Sequence, residues 1–202
     1  MPVRPEAKLA SVLDFLGERR RFLRSFLATP RVVGAVLPTS RRTVRDTLDM
    51  ASLGAARCVL ELGAGTGPYT REILPRLGPE GRLVSFEVDP ALAEALARAL
   101  PDPRLKVVAD SAANLEAHLE GQRPEVIVSA IPFTSLQSTE RQKILTAASR
   151  ALADDGVMLV LQYSPFMQRN LERTFGSVER RISPRNVPPA VLFACRGTKA
   201  PS

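Results

Sequence analysis

The 202-residue sequence has a single histidine, His118, and only two cysteines, Cys58 and Cys195. Without a His/Cys cluster a zinc or iron centre has no ligands to build on, and two cysteines make no disulfide framework. Both cysteines sit in apolar strand-like runs, which suits buried free thiols in a reducing cytoplasm. No uncharged run approaches the ~18 residues that a membrane-spanning helix needs. The N-terminus lacks the charged, then apolar, then small-residue order of a secretory signal. These absences predict a cytoplasmic protein, soluble or peripheral on a membrane, with no metal. There is no internal repeat and no low-complexity segment, and the length suits one core-bearing domain.

The charge is unevenly placed. Residues 1–45 hold ten Lys/Arg against three acids, whereas residues 46–202 hold eighteen of each, so the whole net charge of +7 lies in the first fifth of the chain. A localised basic patch attracts a polyanion, either an anionic membrane surface or a nucleic acid. The same segment carries Leu9, Val12, Leu13, Leu16, Leu23, Phe26 and Leu27 mostly at three- and four-residue spacing, with Arg19, Arg20, Arg21 and Arg24 between them. This predicts an amphipathic helix over 5–28, able to lie in an anionic bilayer interface or, more plainly, to pack on the rest of the fold with solvated arginines. A second helix is predicted near 41–52. Residues 1–54 thus read as a helical extension and residues 55–202 as the main domain.

From Cys58 onward, apolar runs alternate with helical patterns. Strands are predicted at 58–62, 82–88, 106–110, 125–131 and 156–163, with helices near 68–77, 90–100, 111–120 and 137–153. Near-continuous apolar strands joined by helices mean a parallel sheet covered on both faces. After a short helix near 166–175, two strands at 177–183 and 190–197 follow with no helix between them, which predicts an antiparallel pair at a sheet edge. Five parallel strands and a terminal hairpin resemble the Rossmann-like α/β fold of class I S-adenosylmethionine-dependent methyltransferases. That fold has a seven-stranded, mostly parallel sheet with its reversed last strand beside the fifth.

The stretch "CVLELGAGTG" (58–67) puts Gly63, Gly65 and Gly67, with Thr66 among them, between a strand and a helix that opens with Pro68. The spacing departs from the dinucleotide fingerprint, whose third glycine comes three residues after the second. Glu61 also stands before the first glycine, where it would repel a pyrophosphate but could answer an ammonium or sulfonium. Glu87 ends the second strand, followed by Val88, and is placed to accept from ribose hydroxyls. Asp110 ends the third, followed by Ser111, and is placed to accept from an adenine amino group. Ser129 ends the fourth. Together these residues point to S-adenosyl-L-methionine, with S-adenosyl-L-homocysteine as the product. The plain alternative is a glycine turn that packs a helix close to a strand.

The acceptor is written elsewhere. In "VSAIPF" (128–133) the polar residue that holds a planar exocyclic amine in adenine and glutamine N-methyltransferases is missing, which favours an aliphatic amine. A strand ended by Pro132, with Phe133 in the core, is the plain alternative. In "SPRNVPPAVLFACRG" (183–197) Arg185 and Asn186 precede two prolines. A guanidinium on a stiff loop suits a phosphate oxygen, although a proline-braced surface turn would look the same. Tyr163, ending the fifth strand, could add a hydroxyl near that mouth or simply edge the core.

The segments "FLRSFLATPRVVGAVLPTSR", "VLELGAGTGPYTREIL", "SAIPF" and "RNVPPAVLFAC" occur in the order and spacing of the bacterial phospholipid N-methyltransferases, which the chain resembles over nearly its whole length. The resemblance implies stepwise methylation of phosphatidylethanolamine toward phosphatidylcholine at the cytoplasmic membrane surface. It implies that the N-terminal helix docks on anionic lipid and covers the active site, with Thr39 and Ser40 near the cofactor. It also makes Arg185 and Tyr163 candidates for holding the lipid phosphate. The N-terminal segment contains no tyrosine, so an aromatic hydroxyl near the amine must come from Tyr69 or Tyr163. Two other readings stay open. One is an rRNA adenine N6-dimethyltransferase, disfavoured by the missing polar residue before Pro132 and by the absence of a helical domain after residue 197. The other is a membrane- or RNA-binding module that retains the cofactor without turning it over.

Overall fold

The computed structural model describes residues 40–184 and 189–199. The predicted helix over 5–28 and the basic segment up to Thr39 lie outside the described residues, as do Arg185 and Asn186. Residues 39–202 form one compact unit. Among the described residues no helix is long and apolar enough to cross a membrane.

The seven predicted strands are all present: β1 (Cys58–Leu62), β2 (Arg82–Phe86), β3 (Leu105–Val108), β4 (Val126–Ser129), β5 (Val157–Gln162), β6 (Phe175–Ser183) and β7 (Ala190–Thr198). They form one sheet in the order β3-β2-β1-β4-β5-β7-β6. The first five run parallel, and β7 lies antiparallel between β5 and β6. The reversed strand beside β5 is the predicted arrangement.

The helices are α1 (Arg41–Leu48), α2 (Thr70–Ile73), α3 (Pro90–Ala99), α4 (Ser138–Ala151) and α5 (Gln168–Thr174). Two predicted helices are cut down. The one over 68–77 is a single α turn followed by a 3-10 turn at Leu74–Arg76, where Pro75 supplies no backbone donor. The one over 111–120 is a 3-10 segment, Ala112–His118. There the hydroxyl of Ser111 accepts from Ala113 N and the side chain of Asn114 turns back to Asp110. Such local side-chain bonds compete with α-helical geometry.

Both faces of the sheet are buried, as near-continuous apolar strands require. On one face Leu60, Leu62, Phe86, Ile127, Met158 and Phe193 pack with Leu115, Leu145 of α4 and Leu171 of α5. On the other Val59, Leu83, Val128 and Leu159 pack with Val44 and Leu48 of α1 and with Tyr69 and Ile73. Cys58 and Cys195 are free and buried, and burial pushes their thiols up to about 11 and about 12 respectively. Neither is a thiolate at neutral pH.

Helix α1, grouped with the extension on sequence grounds, is tied to the sheet body. Ser40 caps its start by accepting from Thr43 N. The Arg45 guanidinium donates to both carboxylate oxygens of Glu72 at 2.9 and 3.3 Å, and Arg76 pairs with Asp49 at 2.8 Å. The stretch after the helix, Asp49–Ser52, lines a cleft with Val126 and Val157, where β4 and β5 begin. The start of α1 at Ser40 therefore points to the other end of the sheet, where the parallel strands finish.

The Tyr69 hydroxyl donates to Thr47 Oγ1 at 3.2 Å, and Tyr69 is almost fully buried. Burial pushes its phenol far up, against the opposing effect of the Thr47 bond. Tyr69 is thus a clasp between α1 and α2, and Tyr163 is the only tyrosine left to serve an acceptor. Tyr69→Phe is expected to lose about 1 kcal/mol of unfolding free energy, the usual worth of one hydrogen bond. A denaturation curve would show it.

Candidate active site

The parallel strands β1 to β4 finish at one end of the sheet. The chain crosses from the β3 side to β4 on the far side of β1, which opens a crevice between the β1 and β4 ends, the usual ligand position in open α/β sheets. The structure gathers there the glycine loop after β1, Glu87 and Val88 after β2, Asp110 and Ser111 after β3, and Ser129 at the end of β4.

In the glycine loop all three predicted glycines have positive φ: Gly63 at 80°, Gly65 at 54° and Gly67 at 83°. Their surroundings differ. A Cβ on Gly63 would stand 2.9 Å from Ile131 Cγ1, and one on Gly67 would stand 2.4 Å from Leu96 Cδ1. A Cβ on Gly65 would meet nothing within 4 Å. Gly63 and Gly67 are therefore small so that the protein can pack against itself, whereas Gly65 borders open space. Backbone amides shape the rest: Gly63 N and Ala64 N both donate to Phe86 O, each at 2.9 Å.

The two acids flanking this loop do different work. Glu61 is fully enclosed, at 0% exposure. Its carboxylate accepts from Thr70 N at 3.1 Å, Thr70 Oγ1 at 2.7 Å and Ser85 Oγ at 2.6 Å. Burial pushes its carboxyl pKa up, and those three bonds offset only part of the rise. The group pins the start of α2 to β2 beneath the loop. Glu87 is nearly buried and supports the loop from the side. It accepts from Gly65 N at 2.7 Å and from Asp89 N at 3.0 Å, one bond to each oxygen. A carboxylate has about four acceptor positions, so Glu87 retains capacity for two further donors beside the open space at Gly65. Val88, 38% exposed, is one of three large apolar side chains left in solvent among the described residues.

Asp110 accepts from Ser111 N at 2.6 Å, Asn114 Nδ2 at 2.9 Å and His118 Nε2 at 2.9 Å. Partial burial pushes its carboxyl up, but the bonds from His118, Asn114 and Ser111 outweigh this and hold it below the usual range. Ser111 Oγ also bonds to Glu140 at the start of α4 at 3.2 Å. His118, excluded as a metal ligand by its isolation in sequence, is thus a clamp on the third acidic strand end. It stacks edge-on against Phe86, with ring centroids 5.5 Å apart. The sequence offers only its place eight residues after Asp110 as a signal.

The acceptor side is partly described. Ser129 is buried and its hydroxyl accepts from Ile131 N at 3.4 Å. Phe133 is entirely in the core, at 0% exposure, which is the plain alternative for that residue. The Gln162 side chain donates to Ile131 O at 2.9 Å and Leu161 O at 2.7 Å, clipping the β4 loop to the end of β5. Tyr163 follows, half-buried against the α1 face of the core. The residues bracketing the Arg185–Asn186 turn, Ser183 and Ala190, are register partners next to the Gln162–Val191 pair. They therefore stand at the Tyr163 end of the sheet, and Ser183 Oγ is bonded to Asp46 of α1 at 3.0 Å.

Comparison with known proteins adds identity to this geometry. A domain model described as "Methyltransferase domain" matches residues 59–156. An ornithine lipid N-methyltransferase from Singulisphaera acidiphila is 30% identical over 183 residues, covering 88% of this chain and 95% of that protein. The chain belongs to the class I S-adenosylmethionine-dependent methyltransferases. Among other members, ribosomal RNA small subunit methyltransferase A of Nostoc sp. is 26% identical over 176 residues, and the match covers 81% of this chain but 59% of that protein. The solved N-methyltransferase NodS of Bradyrhizobium japonicum, in complex with S-adenosyl-L-homocysteine, superposes with a TM-score of 0.69 at 17% identity. It covers 88% of this chain and 99% of NodS, a likeness of fold. S-adenosylmethionine is accordingly the cofactor of this methyltransferase. The open face of Gly65, the spare acceptors of Glu87 and exposed Val88 fit a nucleoside with an amino-acid tail.

Proposed function

We propose that this methyltransferase N-methylates the amine headgroup of a membrane lipid, phosphatidylethanolamine and its mono- and dimethyl derivatives, toward phosphatidylcholine at the cytoplasmic face of the membrane. The observation that carries the reading is the alignment with an ornithine lipid N-methyltransferase over 88% of the chain, well beyond the generic domain at 59–156. That relative also makes ornithine lipid the first alternative acceptor. It offers an amine on an amino-acid headgroup in place of one behind a phosphodiester.

In this proposal the space at Gly65 takes the methionine and ribose portions of the cofactor, with Thr66 and Ser40 at its border. Glu87 accepts from the ribose hydroxyls, Val88 lies against the adenine, and Asp110 with Ser111 accepts from its amino group. Glu61 acts through the loop it holds. Bound S-adenosylmethionine supplies a methyl on sulfur, already joined to a good leaving group. The protein therefore has to orient an uncharged amine in line with that methyl and exclude water. Tyr163, Arg185 and Asn186 are proposed to hold the headgroup, with Arg185 on the phosphate. Ser129, enclosed at the end of β4, acts through the Ile131 backbone it holds.

An RNA acceptor is less well supported. Phe133 lies in the core and has no face to stack on an extruded base, the device such enzymes use. The test is transfer of labelled methyl from S-adenosylmethionine to vesicles containing phosphatidylethanolamine, to vesicles containing ornithine lipid, and to undermodified ribosomal RNA. Label in phosphatidylethanolamine is expected. Label only in ornithine lipid would reassign the acceptor, label in RNA alone would overturn the lipid reading, and label in none would favour a binding module.

A further inference from the structure

Of the three large apolar side chains exposed among the described residues, Val88 belongs to the crevice, while Phe166 and Ile182 are 69% and 62% exposed outside it. The sheet register places them at one corner. Ile182 pairs with Val191, and Val191 pairs with Gln162, so the three form one row across β6, β7 and β5. Phe166 follows Gln162 by four residues in a 3-10 turn, Pro165–Met167. Arg180, two residues before Ile182 and on the same face of β6, donates to Gln168 Oε1 at 3.0 Å. That bond brings the edge strand to within two residues of Phe166. The corner is at the end of the sheet where Tyr163 and the Ser183–Ala190 pair stand.

Its charge is predominantly positive. Arg180 uses its guanidinium on a neutral amide, and no carboxylate described in the structure pairs with Arg169 or Arg173 of α5. Two acids lie alongside: Glu179 pairs with Arg181 at 2.8 Å, while Glu172 accepts from the neutral Gln168 amide at 2.7 Å and keeps its charge, so Arg169, Arg173, Arg180 and Arg181 outnumber Glu172 and Glu179. Arginines on an edge strand ordinarily guard it against pairing with another chain. Such a guard has no use for an exposed Ile182 on the same strand or an exposed Phe166 beside it. Apolar side chains ringed by unpaired cations match the interface of an anionic bilayer, in which rings and branched chains enter the acyl boundary and cations meet headgroups.

We propose that the β6 corner, with Phe166 and Ile182 at its centre and Arg169, Arg173 and Arg180 around them, docks on anionic phospholipid. This surface is distinct from the N-terminal helix. Its use rests on the lipid-methylation reading, because it would present the acceptor end of the sheet to the membrane.

Flotation of the full chain with phosphatidylcholine vesicles, with and without phosphatidylglycerol, tests it. The variants are Phe166→Ser/Ile182→Ser and Arg169→Gln/Arg173→Gln, all at exposed positions, with melting temperatures checked against wild type. The apolar pair is expected to weaken partitioning about tenfold or more, as loss of two inserted apolar groups implies. The arginine pair should weaken binding to phosphatidylglycerol vesicles and flatten its salt dependence. Methylation of vesicle lipid should fall in parallel, while methylation of a short-chain lipid kept as monomers should stay within twofold. Wild-type partitioning by both variants would overturn the proposal, as would loss of self-association with partitioning unchanged, which would assign the corner to a second copy of the chain. Failure of wild type to methylate any lipid would overturn the lipid reading instead, and the flotation result would still decide what the corner binds.

Discussion

Gly65→Asn is expected to abolish cofactor binding while leaving the fold standing. Gly65 has φ 54° and open space where a Cβ would go, so the backbone needs a residue tolerant of that region and the packing does not object. Asn is among the few side chains that enter it readily. The amide of Gly65 can also keep its bond to Glu87. The loss in unfolding free energy should therefore be about 1 kcal/mol or less. The new side chain, however, occupies the space assigned to the cofactor, and an overpacking cost of about 3 kcal/mol corresponds to ~100-fold in affinity. Calorimetric titration with S-adenosylhomocysteine should show at least that loss. Gly67→Asn should behave in the opposite way, because its Cβ would collide with Leu96 Cδ1 at 2.4 Å. Its loss should appear first in stability, about 1–3 kcal/mol as the Leu96 and Arg71 side-chain ends give way. Tight cofactor binding by Gly65→Asn would remove Gly65 from the cofactor site.

The second large effect is on stability. Glu61→Ala leaves Thr70 N, Thr70 Oγ1 and Ser85 Oγ without their acceptor in a fully enclosed place and opens a cavity there. Buried donors left unmade cost about 1–3 kcal/mol each. The two hydroxyls can rotate toward other acceptors, so a total of about 3–5 kcal/mol is expected, a large share of a typical domain's stability. Glu61→Gln should be far milder. Its amide oxygen can accept from Thr70 N while its NH2 donates to the two hydroxyls, each of which can also act as acceptor. The two proteins should differ in pH response. Burial raises the folded-state pKa of Glu61 above that of the unfolded chain. The wild type then gains most from this group below the ordinary carboxylate value of ~4.3 and loses that contribution as pH rises through the folded value. Melting temperatures of Glu61→Gln should lack this decline. A wild type and Glu61→Gln with parallel pH profiles would show that the carboxylate is not held as the structure places it.

Much of this architecture is legible in the sequence because the governing signals are local. Runs such as Cys58–Leu62 and Val157–Gln162 are buried at every position and apolar at all but Glu61 and Gln162, since parallel strands are covered on both sides. The glycines announce positive φ. The lack of a helix between β6 and β7 announces antiparallel pairing. What sequence hides is partnership at long range. The acid before the glycines is visible, but its donors, Thr70 and Ser85, are ordinary residues 9 and 24 positions away. The same holds for His118, whose isolation argues against a metal and says nothing of Asp110. Segment 111–120 looks helical by composition. Ser111, read as a cofactor-site residue beside Asp110, and Asn114 instead divert the backbone into a 3-10 turn. Tyr69 and Tyr163 are indistinguishable as letters, and only packing separates the clasp from the candidate at the mouth.

The bond from Gln162 to Ile131 O has a further consequence, because Ile131 is also the residue that leaves no room for a Cβ on Gly63. The ends of β1, β4 and β5 are geared together, so that ground shifted under one shifts under all three. Beyond Gln162 the ties run elsewhere: Leu171 and Phe175 are held in the core and Ser183 on Asp46, while exposed positions such as Phe166 and Ile182 stand outside that gear. Divergence of acceptor among relatives of this fold therefore has a place to accumulate on the exposed positions after β5.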